Sequence, residues 1–286
     1  METARTIADA RRQLAGARSH GRRVGLVPTM GALHAGHRSL LLAAREECDV
    51  VVMSLFVNPA QFGPGEDLDA YPRDEAADLA LADASGVDLV FAPPAAEIYP
   101  DGFATSVTVR GVSEPLEGAA RGTEHFAGVA TVVTKLLNIV QPDVAYFGQK
   151  DAQQALVIRR LVADLDIPVR IAVCPTVREA DGLALSSRNA YLTANDRAHA
   201  LGLARALERA TTLIAAGERD PVAAGGAARD ELAAHEVDPE YLEIVDPDTL
   251  APVEEIDGPV LVAVAARVGG ARLIDNVIAT PTKARS

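Results

Sequence analysis

Two histidines three residues apart, His34 and His37, lie in the stretch Thr29-Met30-Gly31-Ala32-Leu33-His34-Ala35-Gly36-His37, after the apolar run Val24-Gly25-Leu26-Val27 and before a helical pattern. A strand that passes through a glycine-containing turn into a helix start offers backbone N–H groups and the positive end of the helix dipole. Both suit an anion such as a nucleotide phosphate. For a single histidine, helix capping is the competing reading, but the pair is joined downstream by a second phosphate-binding candidate, Ser186-Ser187-Arg188-Asn189. Other polar groups also follow apolar runs: Asn58, Pro59, Gln61 and Phe62 in one place, Gly148-Gln149-Lys150-Asp151 and Gln154 in another. Two glutamines, a lysine, two histidines and a Ser-Ser-Arg tract are rich in donors and poor in acceptors, as binding a polyanion joined to a hydroxy acid requires.

The elements that must position these residues alternate along the chain. Ile7, Ala10, Leu14 and Ala17 recur at helical spacing; Val24–Val27 reads as a strand and Ser39–Glu47 as a helix. The nearly continuous apolar run to Val57 is typical of a strand covered on both faces, as in a parallel sheet. A helix from Asp74 to Ser85, strands at Asp88–Ala92 and Thr105–Arg110, a helix at Phe126–Val140, a strand at Val144–Phe147, a helix at Ala152–Ala163 and a strand at Val169–Val173 follow. This order predicts an α/β fold, a Rossmann-like doubly wound parallel sheet, in which ligands bind beyond the carboxyl ends of the strands. After Cys174-Pro175 the texture changes. A polar loop precedes a Thr193/Asp196 capping box, a long Ala-rich helix, a second helical stretch after Pro221, and strands at Tyr241–Val245, Val260–Ala266 and Arg272–Ile278. Residues 1–175 are therefore expected as the catalytic domain and 176–286 as a smaller C-terminal α+β lid.

With 286 residues, 49% of them hydrophobic, the chain can bury a sizeable core. Its longest apolar stretch is too short to cross a bilayer and the amino terminus lacks an apolar signal core, so no membrane partner and a cytoplasmic location are expected. Cys48 and Cys174 lie in or beside apolar strand patterns without metal-like spacing and read as free thiols. A net charge of −13 argues against nucleic acid as a partner, because a polyanionic duplex requires a positive surface.

On these motifs the chain resembles the pantothenate synthetase family, AMP-forming ligases of pantoate and β-alanine within the nucleotidyltransferase superfamily. Carrying the resemblance are Pro28 to His37, Phe56-Val-Asn-Pro-Ala-Gln-Phe62, Tyr71-Pro-Arg73, His125-Phe126, Phe147-Gly-Gln-Lys-Asp151, Pro175-Thr-Val-Arg-Glu-Ala-Asp-Gly-Leu-Ala184 and Ser186-Ser-Arg-Asn189. The His-x-Gly-His element marks only the superfamily, whereas the Asn-Pro-x-Gln-Phe and Thr-Val-Arg-Glu-x-Asp-Gly-Leu segments are far more specific.

The resemblance implies ATP as a substrate, attack of the pantoate carboxylate on its α-phosphate, and aminolysis of the resulting adenylate by β-alanine. Its catalytic residues would be His34, His37, Lys150 and Arg188. ATP would be met by Pro28, Met30, Gly31, Ala32, Leu33, His34, Ala35, Gly36, His37, Gly148, Gln149, Lys150, Asp151, Val177, Leu185, Ser186, Ser187 and Arg188. Gln61 and Gln154 would hold pantoate, with Met30, Asn58, Phe62, Tyr71, Val132 and Val133 around it. Leu185 stands where the family usually has methionine and Gln149 where it has glutamate. Magnesium is expected through the ATP phosphates and not from a protein cage. Asp74, Glu75 and Asp78 could assist, although an acidic helix start explains them better. Asp151 equally fits a ribose contact or a helix cap. A homodimer is a further expectation of the resemblance, and closure of the C-terminal domain over the nucleotide is expected because the Ser186–Arg188 loop lies at the predicted junction. Competing readings are another adenylyl or cytidylyl transferase of the superfamily and a non-catalytic nucleotide-binding module.

Overall fold

The strands near the amino terminus carry apolar residues without alternation, and the packing shows why both sides need them. In β2 (Val24–Thr29) and β3 (Val50–Leu55), Val24, Leu26, Val50 and Val52 enter one core while Val27, Val51 and Met53 enter another on the opposite face. Helices α1 (Ile7–Ser19) and α6 (Thr123–Val140) supply Leu14, Val129 and Leu136 to the first core; α2 (Ala35–Glu47) and α3 (Glu75–Ala84) supply Leu41, Ala44 and Ala82 to the second. A sheet covered on both faces is the usual home of parallel strands.

The computed structural model describes residues 1–63 and 68–282. The chain divides into two compact units, Met1–Gln149 with Gln153–Pro175, and Thr176–Ser286 with Lys150–Ala152. The turn Lys150–Ala152 groups with the second unit, a placement that periodicity did not suggest.

Among the described residues the first unit carries a six-stranded sheet ordered β1-β4-β3-β2-β5-β6, in which β1 is Glu2–Ala4, β4 Leu89–Phe91, β5 Val144–Gly148 and β6 Arg170–Cys174. Every pairing is parallel. The order reverses beside β2, so the loops leaving β2 and β5 face the crevice where such sheets bind ligands. Two short helices, α4 (Ala95–Ile98) and α5 (Glu117–Arg121), precede α6, and α7 (Ala152–Asp164) joins β5 to β6.

Several details differ from the sequence expectation. The edge strand β1 and the short helices α4 and α5 were not anticipated, and Thr105–Arg110 forms no strand. Its residues are mostly exposed, and the Val107 N–H donates to the Thr131 hydroxyl of α6 (2.9 Å) instead of to a ladder partner.

In the second unit, α8 (Ala194–Ala215) and α9 (Pro221–Ala234) pack on an antiparallel sheet of β7 (Pro239–Val245), β8 (Val260–Val268) and β9 (Ala271–Ala279). The predicted capping box starts α8: the Thr193 hydroxyl accepts from Asp196 N (3.1 Å), and Thr193 N donates to Asp196 Oδ2 (3.1 Å). No helix among the described residues is long and apolar enough to cross a membrane. Cys48 and Cys174 are free thiols, and burial pushes both up in pKa.

Candidate functional site

The loop leaving β2 is shaped by two left-handed residues, Gly31 (φ +89°) and Ala32 (φ +50°). They turn the successive N–H groups of Ala32 and Leu33 to one side, where both donate to the Asp78 carboxylate, at 3.1 Å to Oδ2 and 2.7 Å to Oδ1. A Cβ at Gly31 would lie 2.8 Å from Asp78 Oδ2, so the turn requires glycine for space as well as for φ. Asp78 is 3% exposed; burial raises its pKa against the lowering effect of the two amide bonds.

His34 then caps α2. Its Nδ1 accepts from Gly36 N (3.1 Å), and its own backbone N–H donates to His37 Nδ1 (3.3 Å), so the two imidazoles form a reciprocal capping box. Their ring centroids are 4.2 Å apart. A neutral imidazole that accepts at Nδ1 carries its proton on Nε2. Capping and anion binding are therefore compatible: each ring uses one nitrogen to start the helix and keeps an N–H donor on the other.

Beyond β3, Asn58 caps a short 3₁₀ turn, Pro59–Gln61. Sequence reasoning expected Asn58 to touch substrate; in the structure it is a buried support of the turn. The side chain is 1% exposed, its carbonyl oxygen accepts from Ala60 N (3.3 Å) and the Tyr99 hydroxyl (2.7 Å), and its amide donates to Gln61 Oε1 (3.1 Å) and Gly128 O (3.2 Å). Its hydrogen-bonding capacity is consumed in fixing Gln61. Gln61 is left with its carbonyl turned to Asn58 and its NH2 toward Met30 Sδ (3.1 Å), which brings two predicted ligand residues together. Burial pushes the Tyr99 phenol up to about 12, so it stays a donor to Asn58 throughout the working pH range.

His125 of α6 braces the same turn: its Nδ1–H donates to the Gln61 backbone carbonyl (2.7 Å) and its Nε2 accepts from Arg121 (2.9 Å). A carbonyl can only accept and a guanidinium can only donate, which settles this tautomer. Phe62 meets the buried Tyr71 edge to face at 5.9 Å. Val132 and Val133, expected as pocket walls, are 6% and 4% exposed and belong to the core between α6 and the sheet.

At the end of β5, Gly148 is half-buried, and Gln149, Lys150 and Asp151 form a 3₁₀ turn in which Lys150 Nζ is 3.9 Å from Asp151 Oδ1. The adjacent glutamines that follow divide their work. Gln153 is buried, with Oε1 accepting from Glu117 N (2.9 Å) and Nε2 donating to Val112 O (2.9 Å) and Pro115 O (2.6 Å). Gln154, the predicted ligand residue, is the half-buried one.

In the second unit, the Thr-Val-Arg-Glu-Ala-Asp-Gly segment is scaffolding for the Ser-Ser-Arg tract. Arg178 makes a two-pronged ion pair with Asp275, which is 3% exposed (2.6 and 2.9 Å), and also donates to Gly182 O (3.1 Å). Arg197 grips Glu179 (2.7 Å) and Asp181 (2.6 Å), and its hydrogen bonds hold both carboxyls below their usual range. Glu179 in turn accepts from Asn189 (2.9 Å), the residue that follows Arg188. Ser186 caps the 3₁₀ turn Ser187–Tyr191 by accepting from Arg188 N (3.3 Å), and Leu185 N donates to Val177 O (3.0 Å), pairing the two predicted adenine contacts. Lys150 belongs to this unit as well, its carbonyl accepting from Asn276 (2.8 Å).

Asp78, His125, Gln153, Arg197 and Asp275 are structural partners of these loops that were not singled out as such from sequence. Asp78 was weighed only as a magnesium helper or helix starter, and of that acidic trio Asp74 is the residue that caps α3, accepting from Ala77 N (3.0 Å), while Glu75 pairs with Arg5. Among the described residues no group of three or more His, Cys, Asp or Glu side chains is disposed to hold a metal ion.

Residues 2–278 match the family described as Pantoate-beta-alanine ligase. The chain is 57% identical over 279 residues to a pantothenate synthetase of Moorella thermoacetica, covering 97% of this chain and 98% of that one. It is 55% identical over 282 residues to one from Rhizorhabdus wittichii, covering 98% and 99%. Its fold superimposes with a TM-score of 0.94 on the crystal structure of pantothenate synthetase from Thermus thermophilus, at 49% identity over 98% of this chain and all of that one. A pantoate-beta-alanine ligase from Francisella tularensis, complexed with Beta-gamma ATP and Beta-alanine, gives 0.81 at 34% identity over 97% of both chains.

Proposed function

The chain belongs to the pantoate–β-alanine ligase family, and on that footing we propose that it condenses pantoate with β-alanine, using ATP, through a pantoyl adenylate. A carboxylate oxygen of pantoate attacks the α-phosphorus and pyrophosphate leaves. The amine nitrogen of β-alanine then attacks the acyl carbon, the bond to the phosphate oxygen breaks, and AMP leaves. The amine releases a proton to form the amide.

The first nucleophile is ionised near neutral pH, so the protein's task is to position it and stabilise charge. Five-coordinate phosphorus gathers negative charge on its oxygens, and fixed donors there lower the barrier, each by roughly 3 kcal/mol. His34 and His37 suit this role with their Nε2–H groups. Lys150, Ser186, Ser187 and Arg188 take it as well, and Val177 and Leu185 meet the adenine. The Gln61 amide, its carbonyl held by Asn58, binds an oxygen of pantoate, and Gln154 binds another.

Magnesium would enter with ATP, held by the phosphates and neutralising their charge. The working form is proposed as a cytoplasmic homodimer, to be checked by light scattering and cell fractionation.

The observation that supports the reading is the juxtaposition of Gln61 with Met30 at the head of the histidine loop within one unit. The test is exchange of labelled pyrophosphate into ATP. Exchange that requires pantoate and precedes any need for β-alanine supports the ligase. ATP binding without exchange would leave a nucleotide-binding module.

A further inference from the structure

The concavity made by the Ala32 and Leu33 amides is the kind of backbone cradle that would ordinarily be assigned to a phosphate. Here it is filled from within. The Asp78 carboxylate, from the first turn of α3, accepts both hydrogens, one on each oxygen, and is 3% exposed. The left-handed Gly31 and Ala32 are needed to point those amides the same way, and the side-chain-free face of Gly31 is what lets the carboxylate approach. One residue further along, His34 begins the capping box that aims both imidazoles.

We propose that Asp78 is the positioning residue of the phosphate loop: its carboxylate pins the loop backbone immediately before His34, so that the imidazole N–H groups of His34 and His37 and the first turn of α2 receive the nucleotide phosphates in place of the amides of Ala32 and Leu33. The proposal rests on the ligase reading above and extends it to a residue that touches no substrate. An anion supplied by the protein keeps the loop formed before ATP arrives, so nucleotide binding is not weakened by the entropy of ordering the loop. It also sets a direction for the carboxylate other than metal binding, because both of its oxygens are turned toward amide hydrogens.

The variant Asp78→Asn keeps the size of the side chain but presents an NH2 to one of the two amides, an opposition of donors that must displace the loop. Pantoate-dependent pyrophosphate exchange with the full-length chain is the assay, and exchange by the parent protein tests the ligase reading separately. The expected result is a KM for ATP raised about tenfold or more, with the KM for pantoate within twofold of the parent. Gly31→Ala, which attacks the same contact from the other side, should reproduce that pattern, and the double variant should be little worse than either single one. A role in stability alone would lower the active fraction, reducing kcat with both KM values unchanged, and that outcome in a folded Asp78→Asn protein overturns the proposal. Should the variants not fold, amide hydrogen exchange of the parent decides the matter. Strong protection at both Ala32 and Leu33 in the ligand-free protein supports the pinned loop, and solvent-like exchange there overturns it.

Discussion

Replacing Gly128 with alanine sets two local forces against each other, and the structure says which prevails. Gly128 lies inside α6, where alanine is preferred over glycine by about 1 kcal/mol. Yet a Cβ at this position would lie 2.7 Å from the Gln61 backbone nitrogen and closer still to the Ala60 carbonyl, where real Cβ atoms keep about 3 Å. These are backbone atoms of a 3₁₀ turn and cannot rotate away as a flexible side chain would. Overpacking of this kind typically costs about 1–3 kcal/mol, so the helix gain is cancelled or exceeded and Tm should fall by up to a few degrees, at about 2–4 °C per kcal/mol for a unit of this size. The functional effect should be larger than the thermal one. Moving the turn by several tenths of an ångström or more shifts the Gln61 amide, and misplacement on the order of 1 Å can reduce turnover about 10²-fold. The specificity constant for pantoate in the exchange assay should fall by that order while the KM for ATP stays near its parent value. Gly16→Ala is the control: this glycine sits in α1 with nothing within 4 Å of the added carbon, and it should be neutral or stabilising and leave both substrates unaffected. A Gly128→Ala protein as stable as Gly16→Ala and unchanged toward pantoate would refute the claim that α6 sets the position of Gln61.

His37→Ala and Lys150→Ala should each slow pantoate-dependent exchange by about 10² or more, the usual effect of losing a donor to developing oxyanion charge; near-normal exchange by either removes that residue from the assignment. Gln154→Ala should chiefly raise the KM for pantoate, whereas Gln153→Ala should chiefly lower Tm, since its amide closes three backbone contacts; thermal melts and steady-state kinetics of the pair distinguish the two. Arg197→Met should destabilise the protein at pH 7 by about 1 kcal/mol or less, because its carboxylate partners are only partly buried. Glu179 and Asp181 have folded pKa values held down mainly by hydrogen bonds from Arg197, so this stability is present above their unfolded values of about 4 and is lost as pH falls through the lower folded ones. Denaturant melts of parent and variant should therefore converge in acid, and a gap that stays constant down to about pH 2 would contradict the assignment.

The alternating strands and helices were legible from the sequence, as were the placement of His34 and His37 at a helix start and the Thr193/Asp196 capping box, because each rests on residues a few positions apart. Apolar period and cap chemistry are local signals. Arg178, Glu179 and Asp181 gave a family motif without a structural reason, since the partners that explain them, Arg197 and Asp275, come from α8 and β9. Thr105–Arg110 shows the converse failure. Its alternating pattern suits a strand, but a strand exists only when a neighbour completes the ladder, and here a helix hydroxyl takes a backbone N–H.

Sequence alone therefore determined the order and type of most elements and the chemical character of the ligand, through donors clustered after apolar runs. Tertiary structure alone decided which polar residues are buried as supports of the others. Asn58 and Gln61 are three residues apart and chemically alike, yet burial against α6 and Tyr99 makes one the support of the other. Asp78 looked like any acidic helix start until folding carried it to two amides more than 40 residues away in sequence. The reason is that hydrogen-bond partners of a buried polar group are chosen by what the fold brings within about 3 Å, and no local spacing rule encodes that choice.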